Sequence, residues 1–305
     1  MWLWLWLCAV AAAVLWRWQR ERQMVGQLHN RFVLITGCDS DFGHLLATQL
    51  DQCGLRVLAA CLTERGAERL QREVSRRLRI VLLDVTRPES VRAAAWWAQE
   101  TVGERGLWGL VNNAGIANPV TPNEWLTKED FAKVLDVNLL GLIDVTLNPL
   151  PLVKRARGRI VNVSSVLGHL SIFGAFSDSL RREILPLGVK GVLIEPGHFQ
   201  TPILDPMAVE DNLRQAWARA PTAVRHNFGQ KKWSNSNLTL VTSCIAHALT
   251  SRHPRIRYSA GWDAKLIYLP LSYLPTSLVD QLVLWFLPQK ADTIIQPGYY
   301  ESLYQ

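Results

Sequence analysis

Residues 31–43 read RFVLITGCDSDFG, a β-rich apolar run that ends in a turn bracketed by Gly37 and Gly43 and opens a helix. Such a turn lets backbone amides and a helix N-terminus approach a phosphate closely. Alone it is a weak signal, because glycines also make turns that bind nothing. The rest of the chain strengthens it. Asp84-Val85-Thr86 follows a third β-rich run, where the carboxylate would accept from an adenine. Asn112-Asn113-Ala114-Gly115 follows a fourth run, and Glu195-Pro196-Gly197 a sixth. All of them fall at the carboxyl ends of strands, the edge where open α/β sheets bind ligands.

The runs read as strands are Arg31–Thr36, Arg56–Ala60, Ile80–Asp84, Gly109–Asn112, Arg159–Val163 and Val189–Ile194. Helical patterns lie between them near Gly43–Gln52, Thr63–Arg77, Glu89–Val102, Thr127–Val145 and Ala175–Leu185. Continuous apolar strands alternating with amphipathic helices predict an α/β fold, a Rossmann-type, doubly wound parallel sheet. One domain over residues 29–305 is the economical reading, with 29–199 as the dinucleotide-binding part and 200–305 facing substrate or membrane.

Hydrophobic residues make up 49% of the 305 and charged residues 19%, which excludes a disordered chain. The net charge of +7 draws on Arg17, Arg20 and Arg22 and on the run Lys154, Arg155, Arg157 and Arg159. It suits an anionic membrane or a phosphate-bearing cofactor, and no nucleic-acid motif accompanies it. The five cysteines show no paired spacing, so neither disulfide framework nor metal site is expected, only buried reduced thiols. Residues 1–22 combine the apolar run Trp2 to Trp16 with a basic flank. They read as an uncleaved membrane anchor helix barely long enough to cross, with the body on the cytosolic side. Of the two sequons, Asn162-Val-Ser sits in an expected buried strand, and neither it nor Asn237-Leu-Thr decides the side.

With these motifs in place the sequence resembles the short-chain dehydrogenase/reductase family over nearly its whole length. The stretches TGCDSDFG, LRVLAACLTERGAERL, GLWGLVNNAG, RARGRIVNVSSVLG, AFSDSLRRE and RYSAGWDAKLIYLPLSYLPTSLVD look like those of microsomal retinol and hydroxysteroid dehydrogenases. The resemblance implies a nicotinamide cofactor, NAD more than NADP, and a retinoid or steroid alcohol as substrate. It also implies the endoplasmic reticulum membrane as location and a homo- or hetero-dimer as partner state. Residue by residue it implies that Asn113, Ala114, Gly115 and Thr201 line the cofactor and that Pro196-Gly197 lies over the nicotinamide. Asn138 would support a water chain, and Ser165 would hydrogen-bond the substrate oxygen. The acid that selects NAD is expected where the second run ends, near Cys61, with Glu64 three residues on.

The chain departs from this pattern in the chemistry. The family's YxxxK pairs a phenol with a lysine one helical turn later, whose charge lowers the phenol's pKa. Here there is no tyrosine before Tyr258, and none of the six tyrosines has a lysine four residues on. By resemblance, the helical turns that would carry the pair are absent between Phe173 and Phe176. His169 and His198 are candidate replacements. Asp41 stands where the family has glycine, beside the expected pyrophosphate. Two like charges about 4 Å apart cost about 4 kcal/mol at an effective dielectric near 20, so weak dinucleotide binding is expected. Pro149 and Pro151 each remove a helical donor, and the stretch 229–237 is short; both bear on the pocket and on a helix-mediated dimer. Residues 266–288 are apolar and proline-broken, readable as a lipid-dipping lip or as core. The reading is thus an impaired oxidoreductase. Its alternatives are a non-catalytic lipid-binding or dimer-partner protein, or a truncated or decayed variant.

Overall fold

The computed structural model describes residues 2–117, 126–165, 172–199, 201, 236–274 and 278–279. Strands β1 (Phe32–Thr36), β2 (Arg56–Cys61), β3 (Arg79–Leu82), β4 (Gly109–Asn112), β5 (Arg159–Val163), β6 (Lys190–Pro196) and β7 (Arg257–Ala260) form one sheet. Their order is β3-β2-β1-β4-β5-β6-β7, with every pair parallel. The doubly wound expectation holds for six strands. The seventh, Arg-Tyr-Ser-Ala, is too short and mixed to stand out in sequence.

Alternation along β1 explains the two-faced core. Val33 and Ile35 point to one face, where Leu46 and Leu50 of α2 (Asp41–Gln52) meet Ile245 and Leu249 of α9 (Thr239–Thr250). Phe32 and Leu34 point to the other. There they meet Ala94 and Ala98 of α4 (Pro88–Val102), Val145 of α6 (Leu142–Leu147), and Leu180 and Ile184 of α8 (Ile172–Ile184). Helix α3 (Glu64–Glu73) flanks β2 and β3. Helix α9 was not read from the sequence.

The expected helix over Thr127–Val145 has three parts. Helix α5 (Lys128–Leu135) starts in a capping box of Thr127 and Asp130. A π-helical segment, Asp136–Gly141, follows before α6. Gly141 runs so close to the β3 turn that a Cβ there would lie 2.8 Å from the Val85 carbonyl oxygen. The two prolines do not destroy the next helix. Pro149 caps a restarted α7 (Leu150–Arg155), and Pro151 sits in its first turn, where a missing N–H costs nothing.

At the amino edge of the sheet Arg159 is buried, so it does not belong to a solvated basic run. Its Nη1 donates to the carbonyls of Ala248 (2.6 Å) and Ser251 (2.9 Å) at the end of α9. Trp108 lies between this guanidinium (4.3 Å) and that of Arg31 (3.9 Å). Asn162 is buried too and bonded to Asn112 and Ser177, so its sequon is closed to modification in the folded chain. Cys38 and Cys61 are buried thiols as expected, but Cys8 and Cys53 are exposed.

The N-terminal run forms α1 (Trp2–Glu21), with Trp2, Trp4, Trp6, Trp16 and Trp18 exposed. Among the described residues no helix is long and apolar enough to cross a membrane, so the expected anchor is a helix without a shown span. Its end is fastened to the body. The Glu21 carboxylate pairs with Arg17 and Arg255, and its carbonyl accepts from His247 Nε2 (2.9 Å) and Ser251 Oγ (3.1 Å).

Candidate active site

Thr36 ends β1 and ties that strand to β4. Its hydroxyl oxygen accepts from the backbone N–H groups of Asn113 and Ala114, both at 3.0 Å. Asn113 Nδ2 answers by donating to the carbonyls of Thr36 (3.0 Å) and Gly37 (3.1 Å). Gly37 takes φ +69°, and a Cβ on Gly43 would lie 2.1 Å from the Gly37 oxygen. Both glycines are therefore needed for the turn to fold this tightly. A strand-to-helix turn this tight lets backbone amides and a helix N-terminus come close to a phosphate.

The acid at the end of β2 is Asp39, which the sequence reading passed over. Its Oδ2 accepts from Leu62 N–H (2.7 Å), and its Oδ1 from Thr63 N–H (2.9 Å) and Thr63 Oγ (2.7 Å). Glu64, the residue expected there, instead begins α3 and is exposed. The signal that could have found Asp39 is its place two residues after Gly37, in a turn that folds back over β2. Asp84 lies just beyond β3, and its Oδ1 is taken up by Thr86 N–H (2.9 Å) and Thr86 Oγ (2.7 Å).

Asp41 adopts φ +53°, the left-handed region that favours glycine. Its carboxylate accepts from Ser40 Oγ at 2.9 Å, and burial raises its pKa. The residue thus combines backbone strain with a charge at the mouth of the phosphate turn.

The π-helical segment delivers Asn138. Its Oδ1 accepts from Ile116 N–H (2.8 Å) and its Nδ2 donates to the Ile116 carbonyl (2.7 Å), a two-bond clamp on the strand end after Gly115. A Cβ on Gly115 would sit 3.3 Å from Asn138 Oδ1. Ser164 N–H donates to the Ile194 carbonyl (2.8 Å), continuing the register Val163↔Ile194 and setting Ser165 level with Pro196 at the end of β6. Gly37, Asn113, Asn138, Ser165, Pro196 and Gly197 thus converge on one edge of the sheet, and Thr201 is half-buried beyond it.

The tyrosines among the described residues serve other purposes. His247 Nε2 must donate to a carbonyl, which leaves Nδ1 to accept from Tyr258 at 2.7 Å, and the same phenol accepts from Arg255 N–H. Burial pushes the Tyr258 phenol up to about 12. Tyr273 is 81% exposed. Tyr268 contacts His198 at 3.2 Å. His169, most of the short 229–237 stretch and the greater part of 266–288 lie outside the described residues.

A family model described as short chain dehydrogenase matches residues 31–211. The chain is 54% identical to retinol dehydrogenase 7 of Rattus norvegicus, over 87% of this chain and 92% of that protein. It is 54% identical to retinol dehydrogenase 16 of Homo sapiens, over 90% and 94%. Identity to 17-beta-hydroxysteroid dehydrogenase type 6 of Homo sapiens is 52%, again over 90% and 94%. Among solved structures, a short-chain dehydrogenase from Streptomyces avermitilis shares the fold with TM-score 0.65 at 23% identity, over 84% of this chain and 95% of that one. A 3-ketoacyl-(acyl-carrier-protein) reductase from Brucella melitensis, complexed with NADH, matches with TM-score 0.54 at 26% identity, over 65% and 93%.

Proposed function

The chain belongs to the short-chain dehydrogenase family, in the group of retinol and 17-beta-hydroxysteroid dehydrogenases, and from that membership we propose an impaired NAD-dependent oxidoreductase of retinoid or steroid alcohols. The observation that carries this reading is a contrast at one sheet edge. The dinucleotide turn is closed by Thr36, Asn113 and the two glycines, while no tyrosine of the sequence has a lysine four residues on.

A bound nicotinamide dinucleotide would supply the hydride acceptor. The residues present fit it in most respects. Gly37 and Gly43 leave room that a Cβ would fill, and Asp39 offers a carboxylate at the end of β2. Ribose hydroxyls donate to such a carboxylate, whereas a 2′-phosphate is repelled by it, which supports NAD over NADP. Asp41 is the misfit, and binding is accordingly weak. Ser165 holds the alcohol oxygen, and Asn138 keeps the strand end after Gly115 in place for a proton path. Helix α1, with its exposed tryptophans beside Arg17, Arg20 and Arg22, seats the chain on the endoplasmic reticulum membrane.

The missing phenol also favours a second reading, a non-catalytic protein that retains a lipid alcohol or pairs with an active relative. One experiment separates them. The detergent-solubilised chain is titrated with NAD by tryptophan fluorescence and then assayed for NADH with all-trans-retinol or a hydroxysteroid. Weak NAD binding with slow NADH formation supports the dehydrogenase. Binding without any NADH supports the second reading, and no dinucleotide binding defeats the first.

A further inference from the structure

Beside the family's positions the structure holds a cluster that they do not include. Gly197 N–H donates to the Ala260 carbonyl (2.8 Å), which fixes the end of β6 against β7. Phe199 is buried edge-on against Phe42, with ring centres 5.7 Å apart, and Phe42 directly follows Asp41 in the first turn of α2. His198 is therefore pinned between the dinucleotide turn and the strand end where Ser165 lies level with Pro196.

Two side chains reach His198 from beyond β7. Asp263 Oδ2 accepts from His198 N–H at 2.6 Å and lies 3.6 Å from His198 Nδ1. Tyr268 OH is 3.2 Å from the same nitrogen, and the two rings stack at 5.5 Å and 30°. The backbone is cleared for the carboxylate: a Cβ on Gly197 would lie 2.3 Å from it, and one on Gly261, at φ +100°, 2.4 Å. Asp263 Oδ1 is buried and has no hydrogen-bond partner among the described residues, so the carboxylate retains acceptor capacity. A buried acceptor of this kind is costly to leave unsatisfied, which argues that a proton or a donor visits it.

We propose that His198, oriented by Asp263 and Tyr268, takes the alcohol proton in this chain in place of the missing phenol. The assignment rests on the dehydrogenase reading above. In the tautomer the assignment requires, Nδ1–H donates to the Tyr268 oxygen beside the Asp263 carboxylate, and Nε2 is left as the basic atom. In the step, the alcohol O–H bond breaks and its proton goes to Nε2. The electron pair of the carbinol C–H bond leaves as hydride to the nicotinamide, and the alcohol becomes a carbonyl. The imidazolium so formed stands beside the Asp263 carboxylate until water takes the proton. Tyr268 cannot take that role itself, because burial and then the Asp263 charge raise its pKa and keep it the protonated phenol.

The test uses the full chain in detergent with NAD and retinol or a hydroxysteroid, comparing wild type with His198→Gln, Asp263→Asn and Tyr268→Phe. His198→Gln should cut kcat by about a hundredfold or more with NAD affinity unchanged, and the other two by about tenfold. A readout independent of turnover is carbethoxylation of His198 mapped by mass spectrometry, which alcohol plus NAD should suppress. Unchanged kcat in His198→Gln, a parallel loss of NAD affinity, or labelling indifferent to ligands each overturns the assignment. A wild-type chain that binds both ligands but makes no NADH also overturns it, while leaving the ligand-binding reading intact. Failure to bind NAD takes down both.

Discussion

Two parts of one sheet edge differ in the residues they carry. Around the ends of β1, β2 and β4, side chains and backbone close on each other: Thr36 on Asn113 and Ala114, Asn113 on Gly37, Asp39 on Leu62 and Thr63. Around the ends of β5 and β6 the serine and the Pro-Gly corner are in place, but α8 (Ile172–Ile184) carries no phenol. The cofactor frame draws its geometry from the core strands, which the fold itself must preserve. By resemblance the base would come from the first turns of one helix, whose later residues Leu180 and Ile184 pack into the core here. On the function proposed above, binding and chemistry are separable in this chain.

The strongest challenge to that contrast is at Gly43. A methyl group there would have to displace the Gly37 carbonyl, so Gly43→Ala should weaken NAD binding at least about a hundredfold and lower the melting temperature. Gly26→Ala, at a position with nothing within 4 Å, is the control. Normal NAD affinity in Gly43→Ala would show that the turn is not the frame.

Asp41→Gly should act in the opposite direction. It removes a left-handed aspartate and a charge, and a gain of roughly ten- to a hundredfold in NAD affinity is expected, below the unscreened ceiling of about a thousandfold. Because burial raises the Asp41 pKa, wild-type affinity should also climb as pH falls and the carboxylate is neutralised, and the glycine variant should lose that climb. No gain on removing the aspartate would end this account of weak binding.

Asp39→Asn should shift the NAD-to-NADP preference by about tenfold toward NADP, because the amide no longer repels a 2′-phosphate. Competitive titration of the two dinucleotides measures it. The smallest effect belongs to the opposite edge. Hydrogen bonding from Arg255, outweighing burial, holds the Glu21 carboxyl down at about 2, against an ordinary 4.5. A lowered carboxylate pKa stabilises above the unfolded value and is lost as pH falls through the folded one. The docking of α1 should therefore hold above about pH 4.5 and loosen between there and about pH 2. Limited proteolysis after residue 22 reads this directly.

Six strands were legible as short apolar runs: β1, β2, β4, β5 and β6 are largely buried, and the edge strand β3 still carries Ile80, Val81 and Leu82 in a row. Strand β7 was not, since Arg257 spends its charge on Glu195 and Asp178 and makes the run look like a loop. The motif glycines and Asn113 were legible, as their spacing is dictated by backbone geometry. Asp39 was not, because its role comes from a fold-back onto β2 that no periodicity encodes. His198 was legible as a candidate, but its contacts with Asp263 and Tyr268, 65 and 70 residues on, were not. Arg159 was misread for a related reason: a charge in a basic run looks solvated until α9 is laid over it.

The most direct test of the contrast is to insert the helical turns bearing Tyr and Lys from a retinol dehydrogenase relative after Phe173, and to compare both chains for NAD binding and NADH formation. The account predicts equal NAD affinity and a kcat at least about a hundredfold higher in the restored chain. Equal rates in the two chains, or an inserted chain that gains only NAD affinity, would contradict it.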